Sequence, residues 1–407
     1  MRVAFVLQDL QLSGGVGVIV EHAAGLRRDH GVDAQLVLAE EELHARWPYR
    51  GLAELPVLGL DEARMQDWDV AVATWWRTAQ SLFHLPARRH AYFIQALEDS
   101  LYLPAEPERV SAALTTALPV RFITEARWIA EMLERLQPGN PAHVVRNGIA
   151  KDVFAIPDTV APVPPGEPLR IVMEGAPGVP LKGIDQTLDA VRRMREPAHV
   201  TWVAPHGADG APEGVSEVRS RLTHPEMAAL YGESHVMVKL SRAEGMYGPP
   251  LEAFHRGATV VTTAVTGHDE YVRHDVNGLL VGWDDVPGTA RTLDLLARDR
   301  DLLHRLRLGA LDTARAWPDW PACTAELAQA LTAIAEGEPP PVAVAGRRLA
   351  SEIGTITSEL QVRDRFAEDA WAAYDGIQRE KAWILAKKVR GRYHKVRGAA
   401  RRLKPSR

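Results

Sequence analysis

The fold class this sequence predicts is α/β: two Rossmann-like, doubly wound domains facing each other, followed by a helical basic tail. Three observations predict it. Short apolar runs alternate with helix-length segments along most of the chain. The rhythm restarts after a Pro-rich stretch near the middle. The 407 residues are too many for one ordinary domain.

In the first half the apolar runs are 3–7, 34–38, 70–74, 91–94, 121–123 and 143–145. In the second they are 170–173, 199–203, 217–219, 235–240, 259–261 and 278–281. Most are continuous rather than alternating, the pattern of strands covered on both faces. Helical segments such as 18–28, 124–136 and 185–194 lie between them, giving the β-α-β order of a parallel sheet. The stretch 157–166 carries four prolines and no period, and reads as a connection between domains. A second Pro-rich segment, 337–341, ends the second repeat. The domains expected are therefore 1–150, 151–336, and 337–407 as linker, helix and tail. The helix is expected over 348–378, with Ile353, Ile356, Leu360 and Val362 as its apolar residues.

Apolar residues make up 46% and charged residues 25% of the chain, an ordinary globular balance. The one cysteine, Cys323, excludes an intramolecular disulfide and a cysteine-based zinc cluster. The first residues lack the pattern of a signal peptide, and no run of ~18 apolar residues stands anywhere. A cytoplasmic protein is expected. The net charge of −5 hides an asymmetry: residues 379–407 hold twelve Lys/Arg against one Glu, so the other 378 residues carry −16. Trp383, Ile384, Leu385, Val389, Tyr393 and Val396 interleave with Lys387, Lys388, Arg390, Arg392, Lys395 and Arg397, a mixture suited to the anionic inner face of a cell membrane. A solvated charged tail fits the same residues. Nucleic acid is not an expected partner, because the body is acidic.

The segment richest in chemistry follows the run 235–240: Ser241-Arg242-Ala243-Glu244-Gly245-Met246-Tyr247-Gly248-Pro249-Pro250-Leu251-Glu252-Ala253. Pro249 and Pro250 suit the first turn of a helix. Glu244 then lies in the loop at a strand's C-terminal end, where doubly wound sheets bind ligands, and Glu252 lies in the helix. A helix N-terminus at that edge offers N–H groups to a phosphate, and carboxylates can hold sugar hydroxyls. On spacing alone, an ordinary loop with solvated glutamates fits equally.

This segment resembles the Glu-x7-Glu signature of family 4 retaining glycosyltransferases, usually written EGFGLPxLEA; the match is EGMYGPPLEA. The resemblance implies the GT-B arrangement of two facing domains, with Glu244 against the donor sugar and Glu252 on the nucleotide ribose. Backbone N–H groups around Met246, Tyr247 and Gly248 would approach the donor. Other segments agree in order. Ser13-Gly14-Gly15-Val16-Gly17 is similar to the family's N-terminal GG loop, where Gly14 and Gly15 would let backbone approach the donor's phosphate or sugar, and lacks the dinucleotide fingerprint spacing. Asn147-Gly148-Ile149 resembles its NGVD segment, though alone it reads as an Asn-Gly turn. Lys182-Gly183-Ile184-Asp185 resembles its KG(I/V)D segment, whose lysine neutralises the donor diphosphate. Thr266-Gly267-His268-Asp269-Glu270 and Asn277-Gly278-Leu279-Leu280-Val281 look like its GGxxE and NGxLV segments. Arg315-Ala316-Trp317 and Trp320 stand near its usual late aromatic.

The sequence departs from the family before Lys182. The usual arginine five residues earlier is Pro177 here, and Arg242 is the candidate to replace its charge. The weakly matching region 30–120 should build the acceptor side, from Trp75, Gln95, Glu98 and Asp99. A buried tryptophan pair and a solvated acidic loop fit those residues as well. The family's histidine in the first domain has only His84 and His90 as candidates by region. The Phe93-Ile94-Gln95 and Tyr247-Gly248-Pro249-Pro250-Leu251-Glu252 patterns are similar to rhamnosyltransferase-like members, hinting at a dTDP-rhamnose donor beside UDP- and GDP-sugars.

The function expected is retaining transfer from a nucleotide-diphosphate sugar to a glycan or lipid-linked acceptor in cell-surface polysaccharide synthesis. No Asp-x-Asp loop stands out, and Asp284-Asp285 reads as a solvated turn, so neither a metal nor another cofactor is expected. A GT-B epimerase and a non-catalytic sugar-nucleotide or glycan-binding protein are the alternatives.

Overall fold

The computed structural model describes residues 1–40, 46–103, 106–204, 207, 210–338, 340, 343–379, 384–385 and 387–390. Thirteen strands are defined among them: β1 Arg2–Leu7, β2 Asp33–Leu38, β3 Val57–Gly59, β4 Trp68–Ala73, β5 Ala87–Ile94, β6 Arg121–Thr124, β7 His143–Val144, β8 Leu169–Glu174, β9 Ala198–Val203, β10 Glu217–Arg219, β11 Val236–Lys239, β12 Thr259–Thr263 and β13 Gly278–Val281. The helices are α1 Gly14–His30, α2 Leu60–Ala63, α3 Trp76–Leu82, α4 Glu108–Thr115, α5 Arg127–Leu136, α6 Ile184–Arg192, α7 His224–Glu233, α8 Gly248–His255, α9 Val286–Arg298, α10 Arg300–Ala316, α11 Trp320–Glu336 and α12 Ala343–Arg379.

The strands form two all-parallel sheets, in the orders β3-β2-β1-β4-β5-β6-β7 and β10-β9-β8-β11-β12-β13. Both are doubly wound. The chain reverses direction between β1 and β4 in the first sheet and between β8 and β11 in the second. Such reversals open a crevice beyond the strands' carboxyl ends. The loop after β1 leads into α1 at Gly14–Gly15, the Lys182 loop follows β8, and the Glu244 loop follows β11. All three therefore emerge at switch points.

Each apolar run read from the sequence is a strand. β3 was not read, because a three-residue edge strand paired only to β2 carries too little pattern to register. Helix starts are set locally. Thr223 and Glu226 form a capping box on α7, and Asp285, Asp299 and Asp319 accept from the first turns of α9, α10 and α11.

The last helix before the second Pro-rich segment packs with the first sheet. A boundary at 336 puts α11 in the second domain, yet Leu327, Leu331 and Ile334 are buried with Val3, Phe5 and Val70 in the first sheet's core. The chain returns to its first domain before residue 337. The 157–166 connection is also held down: Arg315 donates to the Asp158 carbonyl at 2.6 Å and Arg307 to the Ala161 carbonyl at 3.1 Å.

Residues 352–407 form a separate unit. Its described part continues α12, with Ile356, Val362, Phe366, Trp371, Tyr374 and Ile377 exposed. In the basic tail, 384–385 and 387–390 are helical. Trp383, Arg392, Tyr393, Lys395, Val396 and Arg397 lie outside the described residues. None of the described helices is long and apolar enough to cross a membrane.

Candidate active site

The loops after β8 and β11 bring Lys182 and Glu244 together. Lys182 Nζ lies 3.0 Å from Glu244 Oε1 and 3.1 Å from Oε2, so one ammonium spans both carboxylate oxygens. Gly183 permits this approach. Its φ is +66°, and a Cβ there would stand 2.1 Å from the Leu240 carbonyl oxygen.

A second lysine, missed in the sequence, stands beside the first. β11 pairs with β8 so that Val238 lies opposite Met173; the next residues, Lys239 and Glu174, leave the sheet edge side by side. Lys239 is buried, with Nζ 3.8 Å from Glu174 Oε1. Tyr231 donates to the other Glu174 oxygen at 3.0 Å. A lone lysine in an apolar run was the available signal, since lysine is rarely buried without a partner.

These charges drive the two signature glutamates apart. Burial would raise the Glu244 pKa, but Lys239 and Lys182 outweigh it and hold the carboxyl below its ordinary value. Glu252 is pushed up to about 8 by burial and by Glu174, against the pull of Lys239. Near neutral pH, Glu244 is an anion and Glu252 is largely a neutral acid that can donate as well as accept. A divergence of this kind separates the roles of two carboxyls in one cleft.

The first domain closes on the same loop. Gln95, after β5, donates from its side chain to the Gly15 carbonyl at 3.2 Å, and its own carbonyl packs against Gly245. Glu125, after β6, is buried: Oε1 accepts the Met246 N–H at 2.6 Å and Oε2 accepts from Asn147 Nδ2 at 2.6 Å. Trp128 Nε1 donates to the Gly245 carbonyl at 3.1 Å. Glu125 and Trp128 were not read from the sequence. A carboxylate at the carboxyl end of a strand was the only hint.

Several expected site residues do other work. The Met246 amide is already taken by Glu125. The Tyr247 side chain is buried and donates to the Lys239 carbonyl at 2.9 Å. α8 begins at Gly248, so Pro249 and Pro250 remove two of its first-turn N–H groups, and this helix end offers an anion fewer donors than expected. Arg242 is ion-paired with Asp284, an exposed turn residue as expected, and Asp285, also exposed, caps α9. Glu98 is a correction. It is buried under α3, where one oxygen accepts the Trp76 N–H at 2.6 Å and the Tyr92 hydroxyl at 2.7 Å. Trp75 packs on Trp76 and the Arg77 guanidinium. Among the described residues, no hydrogen bond or ring contact ties Trp75 or Asp99 to the Lys182–Glu244 pair. Gln95 is the one acceptor-side residue brought to the loop.

His84 lies against Arg64 and His90 against Phe83, both away from the loop. The buried imidazole of the first domain is His22, packed on Phe93 and Trp320 and held down to about 3 by burial. Asn147 is more than a turn: besides binding Glu125 it accepts the Trp317 indole N–H on its carbonyl at 2.9 Å.

Three buried carboxyls, Glu98, Glu125 and Glu252, are each raised from 4.5 to about 8. A raised acid contributes stability that is complete below its unfolded pKa and is lost as pH rises through the folded one. His22 and His235, lowered to about 3, have no further effect above pH 7. The midpoint of thermal unfolding is therefore expected to fall by several degrees between pH 7 and 8.5. Glu98→Gln, whose amide oxygen keeps both bonds, should flatten part of that slope; an unchanged slope would contradict the shift assigned to Glu98.

Residues 169–299 match the Glycosyl transferases group 1 family. The D-inositol 3-phosphate glycosyltransferase of Xylanimonas cellulosilytica is 27% identical over 302 residues, 64% of this chain and 71% of that protein. Among solved structures, the Anabaena HepE protein in complex with UDP and glucose superposes with a TM-score of 0.66 at 16% identity, covering 82% of this chain and 100% of that one. The sucrose-phosphate synthase of Thermosynechococcus elongatus gives 0.66 at 14% identity, over 81% and 98%. The chain thus has the two facing doubly wound domains of the GT-B fold, and the family match within its second domain, with the named relative, supports a transferase enzyme.

Proposed function

We propose that the chain transfers a sugar, with retention, from a nucleotide-diphosphate donor to a glycan or lipid-linked acceptor, without a metal. The observation that carries this reading is the Lys182–Glu244 pair at the second sheet's switch point, with Lys239 and Glu252 beside it. Lys182 would meet the donor diphosphate and stabilise the charge that develops on it as it leaves. Lys239 supports the reading that a second cation serves this edge, where Pro177 stands in place of the family's arginine. Glu244, held as an anion, would contact the donor sugar; Glu252, largely neutral, would exchange hydrogen bonds with the ribose. The acceptor hydroxyl would attack from the face the diphosphate leaves, and closure of the domains would exclude competing water.

UDP is the first donor class to try, because the HepE structures carry UDP or UDP-glucose; GDP-sugars and dTDP-rhamnose follow. The acceptor panel should include a phosphorylated polyol, the substrate class in the name of the Xylanimonas relative, beside glycans and lipid extract. Work in polysaccharide synthesis at the cytoplasmic membrane face, through the basic residues 379–407, belongs to the same proposal.

Thermal shift with UDP-, GDP- and dTDP-sugars, followed by nucleotide-release assays with acceptors, tests it. One donor class is expected to raise the unfolding midpoint and to release nucleotide faster when an acceptor is added. Stabilisation without turnover under any acceptor would favour a binding protein, and no stabilisation by any donor would sink the donor-site reading.

A further inference from the structure

The start of α5 crosses to the second domain at three successive points. Glu125 accepts the Met246 N–H, Arg127 donates its backbone N–H and its guanidinium to Glu270 at 2.8 and 3.2 Å, and Trp128 donates to the Gly245 carbonyl. Two of these contacts fall on a single peptide unit. In a trans peptide the C=O and N–H point in opposite directions. The peptide joining Gly245 to Met246 is therefore held from both sides by side chains of the other domain.

The fit leaves no slack. A Cβ on Gly245 would stand 1.6 Å from the Gln95 carbonyl oxygen and 2.8 Å from Glu125 Oε1. A Cβ on Gly267 would stand 1.9 Å from the Gly245 oxygen and 3.2 Å from the Trp128 indole nitrogen. The other Glu125 oxygen accepts from Asn147, where the chain leaves the first domain, and the Asn147 carbonyl accepts from Trp317, where the chain returns to it. One buried carboxyl group thus joins the exit of the first domain to the loop that carries Glu244.

We propose that Glu125 and Trp128 are positioning residues that clamp the Gly245–Met246 peptide, so that closure of the two domains sets Glu244 against Lys182. The clamp's effect on turnover rests on the glycosyltransferase reading; the clamp itself does not. Parting the domains would break the Met246–Glu125 bond together with the indole bond and leave buried polar groups without partners. The proposed donor groups Lys182, Lys239, Glu244 and Glu252 all belong to the second domain, so loss of the clamp should act on kcat more than on the donor KM.

The test uses the full chain with Glu125→Ala, Glu125→Gln, Trp128→Phe and the double variant Glu125→Ala/Trp128→Phe, each checked by thermal unfolding. Hydrogen exchange is followed over 241–250, and kinetics are measured with whichever donor turns over. In the wild type the Met246 amide should be protected, and protection should drop at least ~10-fold in Glu125→Ala and Trp128→Phe. Glu125→Gln should retain most of it. One oxygen still meets the Met246 amide, and the new N–H can reach Asn147 Oδ1, which has no partner now, once that amide flips. The kcat should fall ~10–100-fold with donor KM changed less than about threefold, and the double variant should lose less than the product of the single losses. Unchanged exchange in both Glu125→Ala and Trp128→Phe overturns the clamp. Raised exchange with unchanged kcat overturns its coupling to transfer. A wild type that turns over no donor counts against the glycosyltransferase reading, and the exchange data then decide the clamp alone.

Discussion

Glu244→Gln is expected to lower transfer by about 10²–10³-fold with the fold intact. The substitution keeps the shape of the side chain and removes its charge. In the wild type that charge is bound by Lys182 at 3.0 and 3.1 Å and kept ionised by Lys182 and Lys239. An amide cannot balance two ammonium groups, so the field that the donor sugar and diphosphate meet changes sign at one point. Removing one preorganised electrostatic partner from a reacting centre costs on this order. Stability should change little, because the Lys182 side chain is about a third exposed and can be hydrated. Nucleotide release with saturating donor, set beside thermal unfolding, gives the answer. Full turnover in a folded Glu244→Gln enzyme would remove Glu244 from the chemistry.

Gly245→Ala is expected to cost at least ~10²-fold in kcat/KM while the chain still folds. The added methyl would lie 1.6 Å from the Gln95 carbonyl oxygen, where ordinary contact needs about twice that distance. The Gln95 backbone and the Glu125 carboxyl crowd the site, so either the loop or the domain must move by more than an ångström. Misplacement of that size at a reacting centre typically costs two orders of magnitude. Folding of each sheet is unaffected, because Gly245 lies outside both cores. Gly59→Ala is the matched control: nothing stands within 4 Å of its added methyl, and no change is expected. Equal kinetics for the two variants would show that the closed contact between Gln95 and Gly245 has no part in turnover.

Much of this molecule was legible before any coordinates. Strands buried on both faces must be apolar throughout, so β1, β4, β8, β11 and β12 announce themselves as runs. Glycine and proline in the loops after β1, β8 and β11 mark backbone that needs special geometry or a helix start. The motifs that carry Lys182 and Glu244 were legible as loop segments, but their pairing across 62 positions was not. What misled was local chemistry without its neighbours. Glu98 looked available in an acidic loop, yet it supports α3 from beneath. Pro249 and Pro250 suit a helix start, and the same residues strip it of N–H groups. Arg242 looked like a spare cation, but Asp284 already holds it.

By itself, then, the sequence determined the two parallel sheets, their order along the chain, the loops that carry Lys182 and Glu244 and the helix that carries Glu252, because periodicity and turn chemistry are written in neighbouring residues. The tertiary structure alone decided which charges meet. Lys239 becomes the partner of Glu174 only when β11 lies beside β8. α11 joins the first domain only when its apolar face finds α1, β4 and β5. Glu125 and Trp128 reach the Gly245–Met246 peptide only when two domains, each complete in its own sheet, close on one another. Contacts of that kind join residues more than a hundred positions apart, and no local pattern in the chain records them.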